Sequence, residues 1–127
     1  MSGTQLRFIV QKHKTPHPHY DLRLEMEGIL KSWILPRDFP TEWNEKRLAI
    51  EDKDQEFELI SSRGVVSDGY GMGEAEVWDN GIYEIRERRR SKIAFRAQGE
   101  KFPGRFVLLL PSWGIWGKKR LWVLFRD

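Results

Sequence analysis

The feature that most constrains the fold is a strict alternation of polar and apolar residues from His19 to Met26. Apolar side chains occupy every second position and polar side chains occupy the positions between them. A period of two is typical of a β-strand with one face in a core. Glu27-Gly28 follows as a turn signal and 29–35 resumes an apolar pattern. The two segments therefore predict a β-hairpin.

The rest of the chain carries the same kind of signal. Further strands are predicted at 6–10, 47–51, 56–60, 74–78, 82–87, 92–97, 105–110 and 120–125, with turns at Asp68-Gly69, Asp79-Asn80-Gly81 and Pro103-Gly104. One short helical turn is predicted around 41–46, with Thr41 as its N-cap. Many short strands with glycine-rich turns predict an all-β fold, a small closed or nearly closed antiparallel β-barrel with short helical turns. Residues 1–127 are expected to form one domain.

Composition excludes several classes of protein. The chain has no cysteine, which removes disulfides, thiolate metal sites and cysteine nucleophiles together. No apolar run approaches the roughly 20 residues of a membrane helix, and the N-terminus has no signal-peptide pattern. A cytoplasmic protein is expected. Among the six tryptophans, Trp33, Trp78 and Trp122 are predicted to lie in the core, whereas Trp113 and Trp116 are predicted to lie in a loop.

Positive charge is clustered although the net charge is only +3. One cluster lies at 86–92 and contains four arginines and a lysine; the other is Lys118, Lys119 and Arg120. Such clusters can pair with phosphates and give salt-dependent affinity for nucleic acid. Solvated strand ends and turns would give the same pattern, so charge alone leaves both interpretations open.

All three histidines of the protein fall between His13 and His19. On a strand, His19 and Asp21 project from one face, so both can converge on one ion. Pro16 and Pro18 stiffen the segment that precedes His19, and either His13 or His17 can supply a third ligand. Two imidazoles and a carboxylate leave open positions on Mn²⁺, Fe²⁺ or Zn²⁺ for water or substrate. The alternative is that these polar residues form the solvent face of a strand.

Arg23 is next along the same face of the predicted strand. Its guanidinium presents a fork of donors that matches two oxygens of a phosphate. A metal ion beside a fixed arginine is suited to phosphoester hydrolysis, because both neutralise charge on the phosphate. The spacing therefore indicates a candidate phosphoesterase site.

Two stretches carry a specific resemblance: Gln11-Lys12-His13 and, after five residues, His19-Tyr20-Asp21-Leu22-Arg23-Leu24-Glu25. They resemble the signature of the 3′-phosphoesterase domain of bacterial DNA ligase D and its free-standing archaeal and bacterial relatives. The resemblance continues in order through segments within 30–37, 47–49, 69–81 and 99–108. It covers nearly the whole chain, which is expected to be a free-standing relative without the N-terminal arm of the bacterial members.

The resemblance implies a disc-shaped β-barrel that heals DNA 3′ ends and depends on manganese. Zn²⁺, Fe²⁺ and Co²⁺ are the alternative metals. Members of the family remove a 3′-terminal ribonucleoside and then the 3′-phosphate. They leave a 3′-hydroxyl that a repair polymerase or ligase can use in non-homologous end joining. His13, His19 and Asp21 match the metal ligands of the family, so the resemblance selects His13 over His17.

Further residues match the substrate positions of the family. Arg23 matches the arginine that holds the phosphate, and Arg37 and Arg47 match basic positions expected to contact phosphate or DNA. The sequence departs from the family at two positions, where Gln55 replaces a histidine and Leu59 replaces a tyrosine. Gln55 can donate a hydrogen bond to a phosphate oxygen, but it cannot titrate near neutral pH.

The sequence thus predicts a metal-dependent phosphodiesterase and phosphomonoesterase that acts on DNA 3′ ends. We expect a monomer that works beside a repair polymerase and ligase, without contact with a membrane. A DNA-end-binding module with weak or no catalysis is the first alternative, because of Gln55 and Leu59. A non-haem iron oxygenase is the second, since two histidines and a carboxylate also suit Fe²⁺.

Overall fold

A computed structural model describes residues 5–14, 16–56, 64–68 and 71–127. The strands are β1 (Leu6–Lys14), β2 (His19–Met26), β3 (Ile29–Leu35), β4 (Lys46–Glu56), β5 (Gly64–Asp68), β6 (Gly71–Arg89), β7 (Lys92–Gln98), β8 (Pro103–Leu109) and β9 (Leu121–Arg126). A 3-10 helix, Ser112–Ile115, precedes β9. Within the described ranges, no helix has both the length and the apolar character needed to cross a membrane.

The strands form one antiparallel sheet that closes on itself. Their order is β1-β2-β3-β4-β9-β8-β7-β6-β5, and β1 also pairs with β6. This last pairing closes a ring of eight strands, with β5 attached to β6 outside the ring. Closure leaves the ring without an unpaired edge. The predicted closed antiparallel β-barrel is confirmed.

The hairpin of β2 and β3 has the predicted bounds. Glu27 and Gly28 connect the strands with φ of 54° and 83°, so both residues have left-handed backbone conformation. A two-residue turn of this kind matches the twist of antiparallel strands. Glycine adopts the conformation at no steric cost, which explains Gly28 at its second position.

Alternate residues of each strand fill the interior of the barrel with aromatic and aliphatic side chains. Phe102, which directly precedes β8, is buried in the same core, with its ring centroid 4.0 Å from that of Phe106. Trp33 and Trp122 are buried and Trp78 packs against the core, whereas the tryptophans of the 112–117 loop are exposed. The core positions predicted for Trp33, Trp78 and Trp122 are confirmed, whereas Trp113 lies in the 3-10 helix Ser112–Ile115 and Trp116 directly follows it.

The predicted turn at Asp79-Asn80-Gly81 is wrong, because β6 runs through it without interruption. The Asp79 carboxylate accepts hydrogen bonds from the backbone N–H groups of residues 100, 101 and 102, at 3.2, 2.9 and 2.7 Å. A Cβ at Gly81 would lie 2.6 Å from the carbonyl oxygen of Gln98. Both residues are thus explained by contacts with the neighbouring strand and the loop that follows it.

Four smaller predictions differ from the structure or lie partly outside the described residues. Residues 42–44 form a bend and turn before β4 and not a helical turn, and the Thr41 hydroxyl donates to Glu45 Oε1 at 2.9 Å where an N-cap would accept. Pro103 and Gly104 begin β8, with φ of 105° at Gly104. Most of the predicted strand 56–60, and Gly69 of the Asp68-Gly69 turn, lie outside the described residues.

Candidate metal centre

The predicted metal ligands lie on the first hairpin of the barrel. His13 of β1 is directly opposite His19 of β2, and Gln11 is opposite Asp21. The residues that alternate with them, such as Val10 and Leu22, belong to the core. His13, His19 and Asp21 therefore project from the outer face of the barrel wall.

This outer face is nevertheless buried at the candidate site. The exposed fractions of His13, His19 and Asp21 are 3%, 1% and 7%. On the same face, Ile9 and Leu30 are fully buried and pack with Val77 as a second apolar cluster, separate from the core. The alternative of an ordinary solvent face is wrong for this part of β1 and β2. Burial also strengthens electrostatic interactions between the three polar side chains.

The three side chains converge closely enough to hold one metal ion. Nε2 of His13 lies 2.9 Å from Oδ2 of Asp21, and Nε2 of His19 lies 3.7 Å from Oδ1 of Asp21. One ligand atom from each residue can be chosen so that all lie within 4.8 Å of one another. Two imidazole nitrogens and a carboxylate form a donor set suited to Mn²⁺, Fe²⁺ or Zn²⁺.

The loop between β1 and β2 orients one of these ligands. Nδ1 of His19 lies 2.9 Å from the backbone oxygen of His17. Because a carbonyl oxygen only accepts, Nδ1 carries the proton and Nε2 is the nitrogen that can bind a metal. The His17 side chain is exposed and lies outside the group of converging ligand atoms. Its backbone thus positions His19, in the manner usual for metal-binding histidines.

Two buried polar atoms without hydrogen-bond partners among the described residues indicate whether the site fits a metal ion and a phosphate. Oδ1 of Asp21 is buried and accepts no hydrogen bond from any described residue. A buried carboxylate needs a compensating charge, which a divalent cation would supply. Nε of Arg23 is likewise buried without a hydrogen-bond acceptor among the described residues, and its NH2 lies 3.6 Å from Oδ2 of Asp21. The donor set therefore fits a cation beside an anionic group.

Gln55 lies on the same outer face of the sheet as Arg23 but farther from the histidines. Arg23 pairs with Ser32, which in turn pairs with Asp52. Gln55 pairs with Leu30, one outer-face position beyond this row. The register therefore places Gln55 on the side of Arg23 that is remote from the histidines. Leu59 lies outside the described residues.

Arg37 and Arg47 have different surroundings. Arg37 is exposed and follows β3 at the barrel end where β2 begins, because Leu35 pairs with Tyr20. Nε of Arg47 donates to Asp38 at 2.6 Å, and its NH2 donates to Glu45 at 3.0 Å. The Arg47 guanidinium is therefore already held by carboxylates, unlike the buried Nε of Arg23.

The carboxylate that holds Arg47 is strongly stabilised in its charged form. Hydrogen bonds from the Glu42 backbone, the Thr41 hydroxyl, the Thr41 backbone and Arg47 lower the pKa of Glu45 to about 2. The hydrogen bond to Asp38 in turn raises the pKa of Arg47. Both groups stay charged at neutral pH, so the loop between β3 and β4 is tied to the start of β4.

The sequence analysis assigned no role in the site to two of its features, the Gln11 side chain and the His17 backbone. Gln11 is 2% exposed and lies opposite Asp21 on the buried outer face. Its phase with His13 along β1 is the signal that could have identified it. The contribution of His17 comes from its backbone oxygen, which no residue pattern reveals.

The chain is similar to a known family of proteins and domains. A family model described as the DNA Ligase D 3′-phosphoesterase domain matches residues 11–110. The chain is 35% identical over 127 residues to the multifunctional non-homologous end joining protein LigD of Pseudomonas aeruginosa, which covers 95% of this chain and 15% of that protein. It is 30% identical over 126 residues to the protein of the same name from Mycobacterium bovis, covering 95% of this chain and 17% of that one.

The chain thus spans less than a fifth of the length of these relatives. The matched range includes His13, His19, Asp21 and Arg23. By both the family model and the relatives, the chain belongs to the DNA ligase D 3′-phosphoesterase domain family.

Proposed function

We propose that the protein is a metal-dependent phosphoesterase that removes 3′-terminal ribonucleosides and 3′-phosphates from DNA ends, leaving 3′-hydroxyl groups for repair. The observation that carries this proposal is the buried group of His13, His19 and Asp21 beside Arg23. It combines a cation site with an arginine whose Nε has no acceptor among the described residues. The relatives are named as end joining proteins, which supports DNA ends as the substrate.

The metal centre and its neighbour divide the chemistry between them. Manganese held by His13, His19 and Asp21 would offset charge on the phosphate oxygens and make water a better nucleophile. Arg23 holds the remaining oxygens through its guanidinium fork, which fixes the phosphorus for attack. The Asp21 carboxylate, 3.6 Å from NH2 of Arg23, keeps that fork beside the cation site. The His17 carbonyl keeps the imidazole of His19 in the tautomer that leaves Nε2 available.

The proposed role of Gln55 is narrower. Its amide can donate a hydrogen bond to a phosphate oxygen, but it has no proton to transfer at neutral pH. General acid or base assistance is typically worth about 10²–10⁴-fold. We therefore propose that the protein removes a 3′-phosphate more slowly than a member of the family that carries histidine at this position. Arg37 and Arg47 are proposed as auxiliary contacts to DNA, although Arg47 must first exchange its carboxylate partners.

A turnover assay tests the proposal. The substrate is a primer–template that ends in a 3′-ribonucleotide or a 3′-phosphate, with Mn²⁺, Zn²⁺, Fe²⁺ or Co²⁺ added in separate reactions. Arg23→Ala should lower turnover about 10²–10³-fold, the usual effect of removing a donor to transition-state charge. Asp21→Asn should lower both turnover and metal binding. His17→Ala is the matched control, because its exposed side chain lies outside the site.

The Gln55 substitution also favours a second candidate function, a DNA-end-binding module without catalysis. The same assay separates the two functions. Tight binding of the primer–template without product, at enzyme in excess over substrate and with every metal, would refute the phosphoesterase proposal and support the binding module. Metal-dependent release of the terminal group would do the opposite.

A further inference from the structure

A cavity of about 450 Å³ opens at the end of the barrel where β2 and β6 end and β9 begins, opposite the end that carries His19. Core side chains form its apolar lining: Met26, Trp33, Ile93 and Trp122. Cationic side chains surround this lining: Lys31, Arg88, Arg89, Arg90 and Arg120. In the described part of the chain, Glu51 is its only acidic lining residue. We call this cavity the basic mouth.

The fold creates this concentration of charge from two distant parts of the sequence. Arg88 and Arg89 end β6, Arg90 follows it in the turn to β7, and Arg120 immediately precedes β9. These are the two basic clusters of the sequence, and neither takes part in the metal centre. Bringing like charges together is unfavourable unless an anion or solvent compensates them. The basic mouth is therefore a candidate binding surface for an anion.

Some of these charges already have weak partners. Lys31, Arg88 and Arg89 form ion pairs with Asp54, Glu27 and Glu87, at 3.2, 2.7 and 2.6 Å. The three acidic side chains are 44%, 74% and 34% exposed, so water and salt screen these pairs and a phosphate can replace them. Arg90 and Arg120 form no ion pair with any residue of the described ranges. These two arginines are the strongest candidates for phosphate contact.

The acidic residue of the basic mouth does not cancel this preference, because Glu51 lies among five cationic side chains. Glu51 accepts a hydrogen bond from Nε1 of Trp122 at 2.8 Å. Glu51 and Arg120 also line an adjacent, shallower cavity together with Asp52, Lys53, Lys118 and Lys119. Its three lysines extend the cationic surface past the basic mouth, and one of them, Lys119, pairs with Asp52 at 3.6 Å. A surface this long suits a polyanion with repeated charges better than a single small anion.

We infer that the basic mouth binds the phosphate backbone of the DNA strand or duplex whose 3′ end lies at the metal centre. His19 and Met26 mark the two ends of β2. An extended strand of this length spans about 23 Å. At 3.4 Å for each nucleotide of a duplex strand, DNA needs about seven nucleotides or more to contact both places. The identity of the ligand as DNA rests on the proposed function.

A binding assay without catalysis tests the inference. A labelled 20-base-pair duplex with 3′-hydroxyl ends is titrated with full-length protein in EDTA at several salt concentrations, and binding is read by fluorescence anisotropy. Arg90→Ala/Arg120→Ala should raise Kd about tenfold or more at 0.1 M salt and lower the salt slope by about 2. Arg86→Ala/Arg96→Ala is the control, because it removes the same charge from exposed arginines outside the basic mouth. A change below twofold is expected for the control.

Three results would overturn the inference. Equal weakening in both double variants would mean that net charge alone decides affinity. If Arg90→Ala/Arg120→Ala weakened binding of a four-nucleotide duplex arm as much as binding of the 20-base-pair duplex, DNA would not need to extend from the metal centre to contact the basic mouth. Equal, Arg90-dependent binding of poly-glutamate would identify an acidic protein as the ligand.

The outcome is distinguishable from that of the proposed function. If turnover is absent but the anisotropy difference is present, the phosphoesterase proposal fails and the basic mouth stands. If turnover is present and Arg90→Ala/Arg120→Ala cleaves a 20-nucleotide substrate with unchanged KM, the inference about the basic mouth fails while the phosphoesterase proposal stands.

Discussion

Arg23 and Gln55 lie on one face of the sheet but differ in what they offer a phosphate. Arg23 is 12% exposed in its side chain and keeps a buried Nε without an acceptor among the described residues. Gln55 is half-buried, one outer-face position farther along, and carries only a neutral amide. In the proposed phosphate site, Arg23 therefore offers a charged guanidinium, whereas Gln55 offers a neutral amide that cannot transfer a proton at neutral pH.

Restoring a histidine at this position tests whether proton transfer limits the reaction. Gln55→His should raise the rate of 3′-phosphate removal by about 10-fold or more, the lower part of the usual range for general acid or base assistance. Removal of a 3′-ribonucleoside should change less if another group already assists that step. Rates are measured under single-turnover conditions on the two substrates in parallel. Glu56→His, on the opposite face of β4, is the control, and an unchanged rate in Gln55→His would mean that another group fills the role.

At the scale of elements, the sequence predicted strands well wherever one face is apolar. The bounds of β2 and β3 follow from alternation and from the left-handed turn residues between them. β1 was predicted only to Val10, because the outer-face residues Gln11 and His13 are polar and yet buried. A polar–apolar alternation shows which face of a strand packs in the core, but it does not show whether the polar outer face is also buried.

β6 shows the opposite failure, in which a strong local signal is overridden by tertiary contacts. Asp79 and Gly81 favour a turn in isolation. In the barrel, the Asp79 carboxylate accepts the N–H groups of the loop at 100–102, and the carboxylate also excludes a side chain at Gly99, where a Cβ would meet it at 2.2 Å. These partners are about 20 residues away in sequence, so no local pattern indicates them. The convergence of His19 and Asp21 was predictable because they alternate on one strand, and the resemblance added His13, which lies on the same hairpin.

Asp79→Ala should therefore destabilise the barrel far more than a surface substitution. It leaves backbone N–H groups of residues 100–102 without their acceptor, and Phe102 among them is buried. The loss at the buried Phe102 N–H costs about 1–3 kcal/mol, and residues 100 and 101 lose less because they are exposed to water, so a total of roughly 2–3 kcal/mol is expected. The free energy of unfolding is measured by urea titration, with Asn80→Ala as the exposed neighbouring control. Equal midpoints for the two variants would show that water replaces the carboxylate at little cost.

At the scale of the whole molecule, β1 connects the candidate metal centre to the strand pairing that closes the barrel. It pairs with β2 on one side and with β6 on the other, and His13 lies opposite both His19 and Ala75. An ion bound by His13, His19 and Asp21 would join β1 to β2 beside the pairing that closes the ring. Metal binding should consequently stabilise the entire fold and not only the hairpin.

Thermal unfolding with and without Mn²⁺ tests this link and the choice of ligand together. A ligand at 100 times its Kd that binds only the folded state adds about 2.7 kcal/mol to the free energy of unfolding. Wild-type protein should show a corresponding rise in Tm with Mn²⁺, and His13→Ala should lose it. His17→Ala should keep the rise, because the backbone oxygen that contacts Nδ1 of His19 survives the substitution. Equal loss in the two variants would identify His17 as a ligand, and the absence of a rise in the wild type would contradict manganese binding at this site.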